Sequence, residues 1–167
     1  MTLIAAGVGF AVRGNILGDW SAAYGFTQYE LGSITGGGLI GFGIIIILAS
    51  LITDLVGYRT ILILAGLAHV LSLVITVAAS QAVESGGKES AYECLYWGMF
   101  VFAIANGLCE AAINPLTADL YPNQKTHYLN ILHAGWPGGL VIGGLINKLF
   151  LGDSPWITDL GWELALG

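Results

Sequence analysis

The chain has 167 residues, 56% of them hydrophobic and only 10% charged, against about 25% charged in a soluble domain. Five Lys plus Arg and eleven Asp plus Glu cannot cover a water-soluble surface of this size, which argues against a soluble globular fold and leaves no nucleic-acid footprint. The 25 glycines show no collagen period and come with only four prolines, and the apolar runs are continuous rather than alternating, so collagen, a disordered linker and a β-barrel all fit poorly.

What remains is an all-α, polytopic membrane helix bundle. A bilayer core needs roughly 20 helical residues to cross it, and five stretches qualify: about 2–24, 31–53, 60–82, 93–119 and 127–149. The first opens on LIAAGVGFAV, with no basic segment before it and Arg13 after it, so it reads as a membrane helix rather than a signal peptide. Within it Asn15 and Asp19 are four apart and share a face. Asp19 is open to three roles: holding substrate hydroxyls, carrying a proton, or pairing with a base on another helix. Arg13 is either a cavity residue or a snorkelling side chain near one interface.

Residues 25–30 lead to the second span, which holds no formal charge and carries Gly32, Gly36, Gly37, Gly38, Gly41 and Gly43. Four-residue spacing of small residues lets helix backbones approach closely in lipid. Such rows serve either tight packing or a sliding surface. Residues 54–59 (DLVGYR) form a short connection to the third span, where His69 is expected to be a buried, hydrogen-bonded histidine. The polar, Gly/Ser-rich run 83–92 (VESGGKESAY) reads as a loop.

The fourth span carries Asn106, Glu110 and Asn114 at four-residue spacing, so they form one polar stripe. Pro115 follows and frees the carbonyl of Ala111. An ionisable group inside a span is costly and marks a functional site by default. A carboxyl flanked by two amides describes a cavity wall; the plain alternative is a neutral acid serving packing. A carboxyl that gains and loses a proton as a cavity opens to each side suits a proton-coupled carrier.

After the connection 120–126, the fifth span carries Asn130, His133 and Pro137 at i, i+3 and i+7, with Trp136 adjoining. An amide, an imidazole and an indole on one side suit a polyol. An interfacial His and a lipid-facing Trp are the alternative. Gly135, Gly139 and Gly143 form another four-residue row. Residues 150–167 form a loop that ends as an apolar stretch resumes, so the chain is expected to be a single incomplete N-terminal bundle cut at the mouth of a sixth helix. Cys94 and Cys109, 15 residues apart on one helix, cannot form a disulfide with each other. No metal site, cofactor or catalytic constellation stands out, so no enzyme is expected. Arg59 and Lys125 fall on one side and Lys88 and Lys148 on the other, so charge does not set orientation.

The connection Ser50-Leu-Ile-Thr-Asp54-Leu-Val-Gly57-Tyr58-Arg59 resembles the signature loop of the major facilitator superfamily, Gly-x-x-x-Asp-x-x-Gly-Arg-Lys/Arg. Asp54, Gly57 and Arg59 match; Ser50 replaces a glycine and Tyr58 a basic residue. Asp54 suits a helix-start cap and a cation partner, and Gly57 a tight turn. Such a loop is a conformational latch. The segment Gly107-Leu-Cys-Glu110-Ala-Ala-Ile-Asn114-Pro115 is similar to a stretch of the fucose and glucose/galactose proton symporters, as is Leu129-Asn130.

The resemblance implies proton coupling at Glu110, with Asp19 near the place of an acid in those carriers' first helix. Asn15, Asn106, Asn114, Asn130, His133 and Trp136 are then expected to line the substrate path. It also implies a cell-membrane (inner or plasma membrane) protein with the 54–59 loop cytoplasmic. Carriers of this kind have twelve helices in two six-helix halves, so the chain would supply one wall of the cavity and lack its C-terminal half. The expected function is proton-coupled uptake of a sugar or similar small polar solute by alternating access, with solute, protons and the lipid bilayer as partners. Two alternatives stand beside it. One is a proton-driven exporter of hydrophobic compounds, whose Gly-Pro-x-x-Gly-Gly pattern is out of register with Gly135-Trp136-Pro137-Gly138-Gly139. The other is a non-transporting remnant or subunit.

Overall fold

A computed structural model describes residues 1–151, 156–157 and 161–166, and among these every regular element is a helix. They are α1 (Thr2–Asn15), α2 (Leu17–Tyr24), α3 (Gln28–Val56), α4 (Tyr58–Val77), α5 (Ala79–Leu120), α6 (Lys125–Phe150) and α7 (Gly161–Leu166). Four of them, α3 to α6, are long and apolar enough to cross a membrane. The chain divides into two compact units, Met1–Gly25 with Asn123–Gly167, and Phe26–Pro122.

Four of the five expected spans reappear among the described residues as helices of membrane-crossing length, and three differences stand out. The first is split at Ile16 into α1 and α2, yet Ile16 N–H still reaches Val12 O and Trp20 N–H reaches Ile16 O. The third ends at Val77 rather than 82. The polar run 83–92 is helical, as part of the 42-residue α5, with one break at Gly87. Its one alanine, two glutamates and lysine are good helix formers, and the helix continues on both sides of that break.

In the second unit α5 lies against both α3 and α4, and it carries most of the buried residues: Leu95, Met99, Phe102, Ala103, Ala105 and Ala112 among them. Glycines set the distance. A Cβ on Gly38 would stand 3.3 Å from Met99 O, and one on Gly41 would meet the Phe100 ring at 2.8 Å. On α5, Gly107 receives Ile45 and Gly98 receives Thr76 of α4. Beside Gly98, the buried Ser72 hydroxyl donates to Gly98 O at 2.8 Å. A Cβ on Gly32, Gly36 or Gly43 would meet nothing within 4 Å among the described residues, so only half of the expected α3 glycines are used in close contacts there. The outer faces of α3 (Leu39, Ile40, Ile47, Leu51) and α4 (Leu67, Val70, Val74) are exposed apolar surface suited to lipid chains.

In the first unit α1 packs on α6 along the row Gly135, Gly139 and Gly143. A Cβ on Gly139 would stand 2.9 Å from Gly7 Cα, and one on Gly143 would stand 3.1 Å from Val8 Cα. One turn on, Asn147 Nδ2 donates across to Ala11 O at 3.2 Å. The buried Trp20 of α2 meets Trp162 of α7 edge-on at 5.8 Å.

Two substitutions on α6 separate packing from helix propensity. Gly139→Ala is expected to destabilise the protein by about 1–3 kcal/mol, because the added methyl meets backbone. Gly144→Ala, with open space around it, is expected to be neutral or stabilising by up to about 1 kcal/mol. Thermal unfolding in detergent reads both; equal shifts would contradict close backbone packing as the tie between α1 and α6.

Candidate functional site

The fourth-span stripe is present as drawn. Asn106, Glu110 and Asn114 stand one above another on α5, a turn apart. Asn106 is buried at 2% exposure, and its Nδ2 donates to Phe102 O at 2.8 Å in its own helix. Its Oδ1 is buried and has no hydrogen-bond partner among the described residues, and the same holds for Asn114 Oδ1. Buried polar atoms are ordinarily satisfied, and exceptions call for an explanation. Here two bare acceptors flank a half-buried carboxyl, one turn to either side. Helix α5 continues through Pro115 to Leu120, with Thr117 Oγ1 donating to Ile113 O at 2.7 Å. The stripe therefore offers two acceptors and one proton-carrying group along about 12 Å of helix.

The first unit carries the other polar candidates. Asn15 is exposed and donates to Ala11 O at 2.8 Å. Asp19 is half-buried in the first turn of α2, just past the Ile16 break, where a negative charge complements the helix N-terminus. Arg13 is buried, 6% exposed, which removes the snorkelling reading. On α6, Asn130 and His133 are exposed, and Trp136, 37% exposed, meets Phe10 of α1 edge-on at 6.0 Å. His69 is half-buried rather than buried, with Nδ1 at 2.9 Å from Ala65 O and its ring edge-on to Phe102.

The connection after α3 differs from expectation in one respect. Asp54 does not cap a helix start, because α3 runs on to Val56 and Asp54 lies exposed in its last turn. Gly57 does make the turn, alone, at φ +87° and ψ 143°. A side chain at that φ is strained, which is the reason for glycine. Tyr58, the residue in place of the family's basic one, donates its hydroxyl to Asp119 Oδ2 at 2.8 Å, 61 residues away. This bond ties the turn to the end of α5. Spacing gives no hint of Asp119. Asn147 was equally missed, although it continues the four-residue row of Gly135, Gly139 and Gly143.

Among the described residues no group of three or more His, Cys, Asp or Glu is placed to hold a metal ion. Both cysteines are free thiols, Cys109 buried and Cys94 half-buried.

The family model described as Major Facilitator Superfamily covers residues 1–165. No curated protein and no solved structure gives a significant match. The helical membrane architecture agrees with that family, whose members move small solutes across membranes. The chain belongs to the major facilitator superfamily.

Proposed function

We propose that this chain serves proton-coupled uptake of a sugar or similar small polar solute, working by alternating access in the cell membrane. One observation carries the reading: the bare, buried amide oxygens of Asn106 and Asn114 on either side of Glu110. A sugar hydroxyl donates to such an acceptor, and an unmade hydrogen bond there costs more than a made one gains. Glu110 supplies the proton-carrying group within one turn of both. The likeness of Gly107–Pro115 to the fucose and glucose/galactose symporters supports the same assignment. Asp19 is proposed as a second proton-handling group, and Asn15, Asn130, His133 and Trp136 as further lining of the path.

In the proposed cycle, solute and proton enter while the stripe faces one side, and the helices rock to present it to the other. The 54–59 turn, placed in the cytoplasm on this reading, acts as the latch. Asp54 and Arg59 are its charged residues. Tyr58–Asp119 joins it to the helix that carries Glu110, so latch and site share one helix.

Two predictions follow from the stripe and one from the latch. Glu110→Gln is expected to abolish uptake driven by a pH gradient while solute exchange at equal pH persists; unchanged pH-driven uptake would refute the assignment. Asn106→Ala and Asn114→Ala are each expected to weaken apparent solute affinity about tenfold, the worth of one good buried hydrogen bond. Titration of uptake against solute concentration checks this. Tyr58→Phe removes only the hydroxyl that reaches Asp119. It is expected to change the inward-to-outward population ratio by about threefold, read by site-directed accessibility labelling, with solute affinity unchanged.

A further inference from the structure

Gly87 interrupts α5 with φ +72° and ψ −162°, a backbone region open essentially to glycine alone. It separates a short arm, 79–86, from the long helix 88–120. The residue just past the break is Lys88. Its ammonium lies 2.9 Å from Glu30 Oε2 at the start of α3 and 5.6 Å from the centre of the Phe26 ring. Phe26 in turn meets Tyr92 edge-on at 6.1 Å.

The same Glu30 oxygen accepts the Thr27 N–H at 2.7 Å and the Thr27 hydroxyl at 2.8 Å, and Thr27 Oγ1 accepts the Glu30 N–H at 3.3 Å. This is a complete capping box. One carboxylate thus closes the start of α3 and holds the first residue beyond the Gly87 break. Beside it lies a cavity of about 900 Å³. Its walls come from the arm (Ala82, Ser85), from Glu30, and from the first turns past the break (Lys88, Glu93, Cys94).

We infer that Gly87 is a hinge between the arm 79–86 and helix 88–120, and that the Glu30–Lys88 ion pair, which lines the cavity and holds the helix side of the hinge to the start of α3, is its clasp, so that the cavity between arm and helix opens and closes as the pair breaks and forms. The two side chains are 40% (Lys88) and 29% (Glu30) exposed, so water and salt screen the pair and its release is thermally accessible. The capping box survives that release, because Thr27 and Glu30 bond to each other without Lys88. The hinge therefore moves without unravelling α3. This device stands whether or not the solute reading of the Glu110 stripe holds.

The reporter is Cys94, which lines the cavity, in a Cys109→Ala background that leaves it the sole thiol. The rate of maleimide labelling of the full chain in detergent reads cavity access. Glu30→Gln keeps a capping side chain at that position without the charge. Lys88→Met keeps an apolar stem over Phe26 without the ammonium. Each is expected to speed labelling about fivefold. A purely electrostatic effect on the thiolate would move the two variants in opposite directions, since one loses a negative and the other a positive charge.

Raising salt from about 0.05 M to about 1 M is expected to speed labelling when the ion pair is intact and to leave both variants unchanged. Labelling at the starting rate in both variants, opposite shifts in the two, or no salt response with the pair intact would each overturn the clasp. The salt response needs no substitution at Glu30 or Lys88, so it decides the matter even if a variant misfolds.

Discussion

Close approach of helix backbones at glycine is the constraint on which the rest depends. In a bilayer the lipid tails are as apolar as leucine, so burying apolar side chains against one another gains little. Helices are held where small residues let main chains touch and where a few polar groups bond across. Gly7, Gly139 and Gly143 do this for α1 and α6, with Asn147 bonding to Ala11 O one turn on. Gly38, Gly41, Gly98 and Gly107 do it for α5 and its two neighbours, with Ser72 bonding to Gly98 O. In both units an interhelical hydrogen bond lands at or beside the glycine contact, where the backbones are close enough for a short side chain to reach.

That packing explains why α5 is the helix that can shelter a polar stripe. It lies against α3 on one side and α4 on the other, while the outer faces of those two helices are left to lipid. A carboxyl on α3 or α4 would stand a good chance of facing hydrocarbon, at large cost. On α5 the stripe Asn106–Glu110–Asn114 is sheltered, and the residues around it are small: Ala105, Gly107, Ala111 and Ala112. The same helix reaches the Gly57 turn through Asp119 and Tyr58 at one end and Glu30 through Lys88 at the other. Helix 88–120 therefore carries the polar stripe and meets the Gly57 turn at one end and Glu30 at the other.

Much of this was legible in the residues. Charge-free runs located the long helices, and four-residue spacing located both the α6 glycine row and the polar stripe. The family of the chain followed from Asp54, Gly57 and Arg59 in the right connection. Three features were misjudged for physical reasons. Residues 83–92 look like a loop by composition, but two glycines in a row of good helix formers cost only one break, at Gly87. Asp54 looks like a helix cap by type, but glycine at 57 makes so tight a turn that α3 continues past the acid. The Tyr58–Asp119 and Glu30–Lys88 contacts join residues 61 and 58 apart, and only tertiary packing brings such pairs together. Thr27-Gln-Tyr-Glu30 has the capping-box spacing, but the charge-free run alone put the start of that span at 31, three residues past the observed start of α3.

The central claim is that solute movement through this chain is coupled to a proton held at the Glu110 stripe. The most direct measurement places the protein in energy-depleted cells or vesicles in weakly buffered medium, adds a panel of monosaccharides one at a time, and follows external pH. Alkalinisation on addition of a transported sugar, abolished by a protonophore, is the expected result. Sugar uptake with no accompanying pH change would contradict proton coupling and leave the stripe as a binding surface alone.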